Sequence, residues 1–123
     1  MTKQTIEEAR AVITVETPDW PGALVIASGE LDVNVVADLR ARLAEALATG
    51  GGRVVVDLTD VTFIDSLSLS AIIGARRKLE PPGRLAVVAV HDYIRLILEA
   101  TGLEQILDVF ATREAAEEFV RTD

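Results

Sequence analysis

Val54-Val55-Val56-Asp57-Leu58-Thr59-Asp60-Val61-Thr62-Phe63-Ile64-Asp65-Ser66-Leu67-Ser68 is the stretch that decides how this chain folds. Its valine run is too short and too β-branched for a helix, whereas Leu69, Ile72, Ile73 and Leu79 after it recur at helical spacing, so the join reads as strand, loop, helix. Asp57 to Ser68 is then expected to be a polar loop presented for recognition. Asp65, Ser66 and Ser68 crowd the helix start, where unpaired backbone N–H groups carry partial positive charge. That position suits a capping side chain, a bound anion or a phosphorylated serine.

Upstream, Ala11 to Thr17 alternates apolar with polar as a half-buried strand does, and Ala23 to Ser28 is a second, more apolar strand. Pro18-Asp19-Trp20-Pro21-Gly22 forbids regular pairing between them and predicts a hairpin with a structured loop, with Trp20 either an exposed anchor or, as large aromatics favour, a lid over the hairpin end of the core. Gly29-Glu30-Leu31-Asp32 ends the second strand. Asp32 is the expected N-cap of a helix whose inner face carries Val36, Leu39, Leu43 and Leu47, and Gly50-Gly51-Gly52 stops it as a flexible connector. A third strand, Arg53 to Leu58, is apolar on both faces and so belongs at the centre of the sheet.

Downstream, the second helix closes on Arg76-Arg77-Lys78, a basic end that complements the helix dipole, and Pro81-Pro82-Gly83 turns the chain into a strand over Leu85 to Val90. Tyr93 to Thr101 follows as a helix with Ile94, Ile97 and Leu98 inward and Gly102 as its stop. Leu107 to Phe110 is a short last strand. Thr112 caps a final helix that buries Ala115, Ala116, Phe119 and Val120. The order is β-β-α-β-α-β-α-β-α: an α/β fold with a mixed sheet of about five strands, parallel in its later part, and about four helices. We expect one domain over residues 1–123, with an ordered core at about 9–121 and a frayed beginning up to about Glu8.

Composition removes several functional classes. Twenty acidic residues against twelve basic ones give a formal charge of -8, which repels phosphate backbones and argues against nucleic acid as a partner. The absence of cysteine removes thiol catalysis, zinc-thiolate sites and disulfides together. No run approaches the roughly eighteen apolar residues of a membrane span, and Met1-Thr2-Lys3-Gln4 leads to Glu7-Glu8 rather than an apolar signal core. The reading is a cytoplasmic protein without membrane insertion, at a length and apolar content that build a core without metal or disulfide help.

Three kinds of chemistry remain to be weighed at the junction. Asp57, Asp60 and Asp65 offer carboxylates near a strand end, but a hard cation wants several convergent oxygens and no second acidic cluster accompanies them. Ser66 or Ser68 as a nucleophile would need a base; His91 is the only histidine, and nothing resembles Gly-x-Ser-x-Gly. The glycines lie after a helix rather than in a phosphate loop before one. No catalytic residue, metal or cofactor is therefore assigned, and a binding protein rather than an enzyme is expected.

Val54 to Ile73 resembles the STAS domain, and within it the bacterial anti-sigma factor antagonists. The match rests on the apolar strand ending in Asp57-Leu58, on Val61-Thr62-Phe63-Ile64-Asp65-Ser66, and on Gly29-Glu30-Leu31-Asp32, which resembles the loop between that family's second strand and first helix. The order of elements agrees from end to end. The resemblance implies a domain that binds an anti-sigma factor, usually of serine kinase type, and so frees a sigma factor for transcription by partner switching. Phosphorylation of a hydroxyl residue two places after the motif Asp switches such a domain off, and a phosphatase restores it. The switch has a local physical basis, because a phosphate adds about -1.5 to -2 charges beside existing acids at a fitted interface.

Carried onto this chain, the motif Asp is Asp65 and the first serine is Ser66. Leu67 stands where the family places its phosphoacceptor, Ser68 and Ser70 replace two glycines, and Leu69 keeps the leucine. The partner-binding or phosphorylation loop is accordingly Asp65, Ser66, Leu67 and Ser68, supported by Glu30 and Asp32, with Ser66 and Ser68 as alternative phosphosites. The expected function is that of an antagonist whose usual phosphoserine switch is altered or absent. The alternative is a ligand-binding or accessory STAS module, nucleotide-binding or transporter-associated, although Glu30, Asp32 and Asp65 disfavour a polyphosphate without a cation.

Overall fold

A computed structural model describes residues 11–122; the expected fraying of the first eight residues falls outside that range. Five strands form one sheet in the order β1-β2-β3-β4-β5: β1 (Ala11–Glu16), β2 (Ala23–Leu31), β3 (Arg53–Ile64), β4 (Arg84–Val88) and β5 (Asp108–Phe110). β1 and β2 pair antiparallel as the predicted hairpin, and every later pair is parallel. Among the described residues four helices connect or follow the strands: α1 (Val36–Thr49), α2 (Ser66–Arg77), α3 (Asp92–Ala100) and α4 (Arg113–Arg121), with a 3-10 turn at Leu103–Gln105.

Strand alternation divides the core in two. Val54 and Val56 of β3 and Leu85 and Val87 of β4 pack with Leu39 and Leu43 of α1, Leu69 and Ile72 of α2, and Ile94 and Leu98 of α3. Val55, Ala86 and Val88 face the other way, onto Ala116 and Val120 of α4. Three helices thus cover one face and one covers the other. Trp20 is buried in the second cluster, as the lid reading requires. Gly22 makes room for it: a Cβ there would lie 2.0 Å from the indole ring and 2.7 Å from the Arg53 carbonyl oxygen.

Several boundaries differ from the sequence expectation. The final helix is capped by Thr112, whose hydroxyl accepts from the Ala115 N–H, but Ala115 itself is exposed and the buried stripe is Ala116 and Val120 with Phe119 half-buried. Ile97 is likewise only half-buried beside Ile94 and Leu98. Asp32 is not the N-cap of α1. Its carboxylate accepts from Asn34 N–H at 2.9 Å and its carbonyl from Val35 N–H at 3.0 Å, so Asp32 closes a turn that precedes the helix, whose first residue is Val36. The N-cap position is instead Val35, which makes no side-chain cap bond.

The largest correction concerns the supposed loop. β3 does not stop at Leu58 but runs to Ile64, leaving Asp65 alone between strand and helix. From Ile26 to Ser28 the neighbouring strand advances two residues while β3 advances three, Asp57 to Asp60; from Gly29 to Glu30 it advances one while β3 advances two, Val61 to Phe63. Two bulges therefore lie on β3. They shift the inward-facing positions from Val54, Val56 and Leu58, two apart, to Leu58, Val61 and Ile64, three apart. A spacing of three does not look like a strand, which is why the strand reading ended early.

Candidate functional site

The outer half of β3 carries the sequence motif to the carboxyl end of the sheet. There Glu30 pairs with Phe63 and Leu31 with Ile64, which brings the Gly29-to-Asp32 segment against the start of α2. The Leu31 carbonyl oxygen receives the Asp65 N–H at 3.1 Å and the Ser68 hydroxyl at 3.1 Å. Asp65 caps α2, its carboxylate accepting from the Ser68 N–H at 2.8 Å. These bonds lock the end of β2, the end of β3 and the first turn of α2 into one unit.

The four motif residues consequently have different surroundings. Asp65 is half-buried and engaged as the cap, Ser66 is exposed at the first helical position, and Leu67 is 45% exposed. Ser68 is fully buried, with its hydroxyl donated to Leu31. Glu30 is exposed and Asp32 half-buried on the adjoining segment. The structure thus brings together all six residues singled out from the sequence, and it separates Ser66, which solvent reaches, from Ser68, which it does not.

Two further residues belong to this surface and were not legible as such. Phe63 is 41% exposed on the outer half of β3, and Val33 is 61% exposed just after Asp32. An aromatic in an apolar run reads as core. The only available signal was the change in spacing, since Val61 and Ile64 inward leave Phe63 out of phase. Phe63 is paired with Glu30, Val33 follows Asp32 and Leu67 lies two residues after Asp65, so each exposed apolar side chain at this end of the sheet has an acidic neighbour, which suits a partner with an apolar seat and a basic rim.

The remaining candidates lie elsewhere or are otherwise engaged. The Asp57 carboxylate is buried and accepts from Thr59 N–H at 2.9 Å, from the Thr59 hydroxyl, and from Arg113 Nε at 2.8 Å. Asp60 is exposed, and among the described residues no three His, Cys, Asp or Glu side chains converge to hold a metal ion. His91 is exposed at the N-cap of α3, and Ser68 spends its hydroxyl on a carbonyl oxygen. Arg76 lies in the last turn of α2, 3.9 Å from Asp108. No helix among the described residues is long and apolar enough to cross a membrane.

A family model for the STAS domain matches residues 12–116, most of the chain and all of the surface just described. The chain belongs to the STAS domain family. Among sequence relatives of this STAS chain, the anti-sigma-F factor antagonist RsfB of Mycobacterium tuberculosis is 29% identical over 101 residues, covering 81% of this chain and 83% of the relative. The anti-sigma-B factor antagonist of Staphylococcus aureus is 32% identical over 82 residues, covering 66% and 76%. An anti-sigma factor antagonist from Mycobacterium paratuberculosis superposes with a TM-score of 0.84 at 27% identity, covering 91% of this chain and 95% of that one. Unphosphorylated SpoIIAA has the same fold, with a TM-score of 0.68 at 23% identity over 91% of this chain and 100% of that one.

Proposed function

We propose that this STAS domain is an anti-sigma factor antagonist that binds an anti-sigma factor of serine kinase type and so regulates sigma-factor-dependent transcription in the cytoplasm. The observation that carries the reading is the joining of two segments over the Leu31 carbonyl, which holds Leu67 and Phe63 outward beside Glu30, Asp32 and Asp65. Apolar side chains held on a rigid strand end and first helical turn bind with little ordering cost. The acidic rim steers a basic partner surface and disfavours acidic competitors.

Phosphoregulation in this reading is altered. Leu67 occupies the position where the family resemblance places the phosphoacceptor, and leucine has no hydroxyl. Ser68 is disfavoured as a substitute by its burial and its bond to Leu31, so of the two alternative phosphosites Ser66 is the one open to a kinase. A phosphate there would set about -1.5 to -2 charges beside Asp65 and against the exposed leucine. A kinase that aligns one hydroxyl with its nucleotide tolerates little displacement, so binding is constitutive.

The test pairs capture with mass measurement. Candidate anti-sigma factors are offered to the parent chain and to Leu67→Ser, each with ATP, and complex formation and intact mass are followed. We expect both chains to bind, and only Leu67→Ser to gain a phosphate and then release its partner. A parent chain that binds none of the kinase-type anti-sigma factors of its own organism overturns the partner assignment, and stoichiometric phosphate on parent Ser66 overturns constitutive binding.

A further inference from the structure

We infer that Asp57 and Arg113 are positioning residues for the recognition surface, acting from the sheet face that α4 covers. Asp57 is where β3 changes character: it is the last residue in regular register with both neighbours, opposite Ile26 of β2 and Val88 of β4. The first bulge begins immediately after it. The amide in that bulge, Thr59 N–H, is taken by the Asp57 carboxylate at 2.9 Å, and the Thr59 hydroxyl is bound by the same carboxylate oxygen. The second carboxylate oxygen receives Arg113 Nε at 2.8 Å from the first turn of α4. One buried side chain therefore supplies the acceptor that an interrupted ladder lacks, and α4 holds that side chain in place.

Which residues of the outer strand turn inward depends on this bulge together with the second. Without it, strict alternation from Leu58 would turn Asp60 and Thr62 toward the α1–α3 core; with it Val61 enters in their place, and the second bulge then lets Ile64 follow. The first bulge alone would turn Phe63 inward after Val61; the second, between Val61 and Phe63, returns Phe63 to the outward side, and Asp65 meets the Leu31 carbonyl to start α2. No residue of the Asp57–Arg113 pair belongs to the recognition surface, yet the pair anchors the strand segment that presents it. Arg113 is 41% exposed along its side chain, so its charge contributes modestly to global stability while fixing the direction of a buried carboxylate. What the surface binds rests on the antagonist reading above, whereas its positioning does not.

The deciding experiment needs no partner. Amide hydrogen exchange and 1H–15N shifts are recorded for the full chain, for Arg113→Met, for the milder Arg113→Lys, and for Val120→Ala as a control that weakens α4 without touching Asp57. We expect Arg113→Met to speed exchange from Thr59 to Ser68 about tenfold relative to Val54–Val56, a local opening rather than a global one. Arg113→Lys should shift the same amides by less, and Val120→Ala should act evenly along β3. Equal acceleration of the inner and outer halves by the Arg113 variants, or no change beyond Asp60 in either, overturns the inference. Should Arg113→Met not fold, the Arg113→Lys pattern decides alone by the same criterion. With a bound anti-sigma factor, Arg113→Met should also weaken affinity about fivefold, of the size of other couplings through packed networks. A parent chain that binds no such factor defeats the functional reading and leaves the exchange result standing.

Discussion

The two halves of β3 share one strand and differ in everything that matters for function. The inner half, Arg53 to Asp57, is paired with β4 throughout and with β2 from Val54, alternates with period two, and is buried on both faces from Val54 onward. The outer half, Leu58 to Ile64, is paired only with β2, carries two bulges, and leaves Asp60, Thr62 and Phe63 exposed. Two ladders and two buried faces fix the inner half completely. One ladder and an altered spacing let the outer half keep its inward anchors while turning an aromatic side chain to solvent. A strand that changes role part-way gives the motif a rigid base without burying it.

That contrast predicts a gradient of effects. Val56→Asp buries an unpaired charge at a fully enclosed position, and a cost of several kcal/mol, comparable with the whole stability of a small domain at about 5–15 kcal/mol, should abolish folding by circular dichroism. A cooperative melt in this variant would break the claim that the inner half is sealed. Leu58→Ala removes the hinge residue common to both spacings and should cost about 2–5 kcal/mol in urea unfolding.

Smaller effects are expected toward the surface. Asp65→Ala deletes the cap of α2 and should cost about 1 kcal/mol, while Asp65→Asn, which caps equally well, should stay within a few tenths. Equal losses from both would mean that the charge, not the cap, is what matters. Phe63→Ala should change stability by less than about 0.5 kcal/mol, because that ring is substantially exposed, yet it should weaken partner capture. If Phe63→Ala destabilises as much as Leu58→Ala, the division of β3 into a sealed and a presenting half is wrong.

Legibility followed the same division. Val54-Val55-Val56 announced a central strand, the Leu69 and Ile72 spacing announced α2, and the cap at Asp65 and Thr112 could be read from residue type. The extension of β3 past Leu58 could not, because bulges break the period on which strand recognition depends. Asp32 was misread as a helix cap because an Asp that closes a turn and an Asp that opens a helix look alike in one dimension. Ser66 and Ser68 were equivalent as candidates until the Leu31 carbonyl distinguished them. Leu31 lies thirty-seven residues from Ser68 along the chain, and no local pattern reports a bond of that range.

The order of elements, the mixed sheet, the acidic character and the leucine that follows Asp65-Ser66 are all consequences of residue type and local periodicity, and the amino-acid sequence carries them outright. Which hydroxyl is buried, which aromatic faces solvent and how α4 reaches Asp57 in the middle of β3 were decided only by strand register and by side chains meeting across the sheet. Register is set where two distant segments pair, and a shift of one residue reverses every side chain, so these features exist only once the chain has closed on itself.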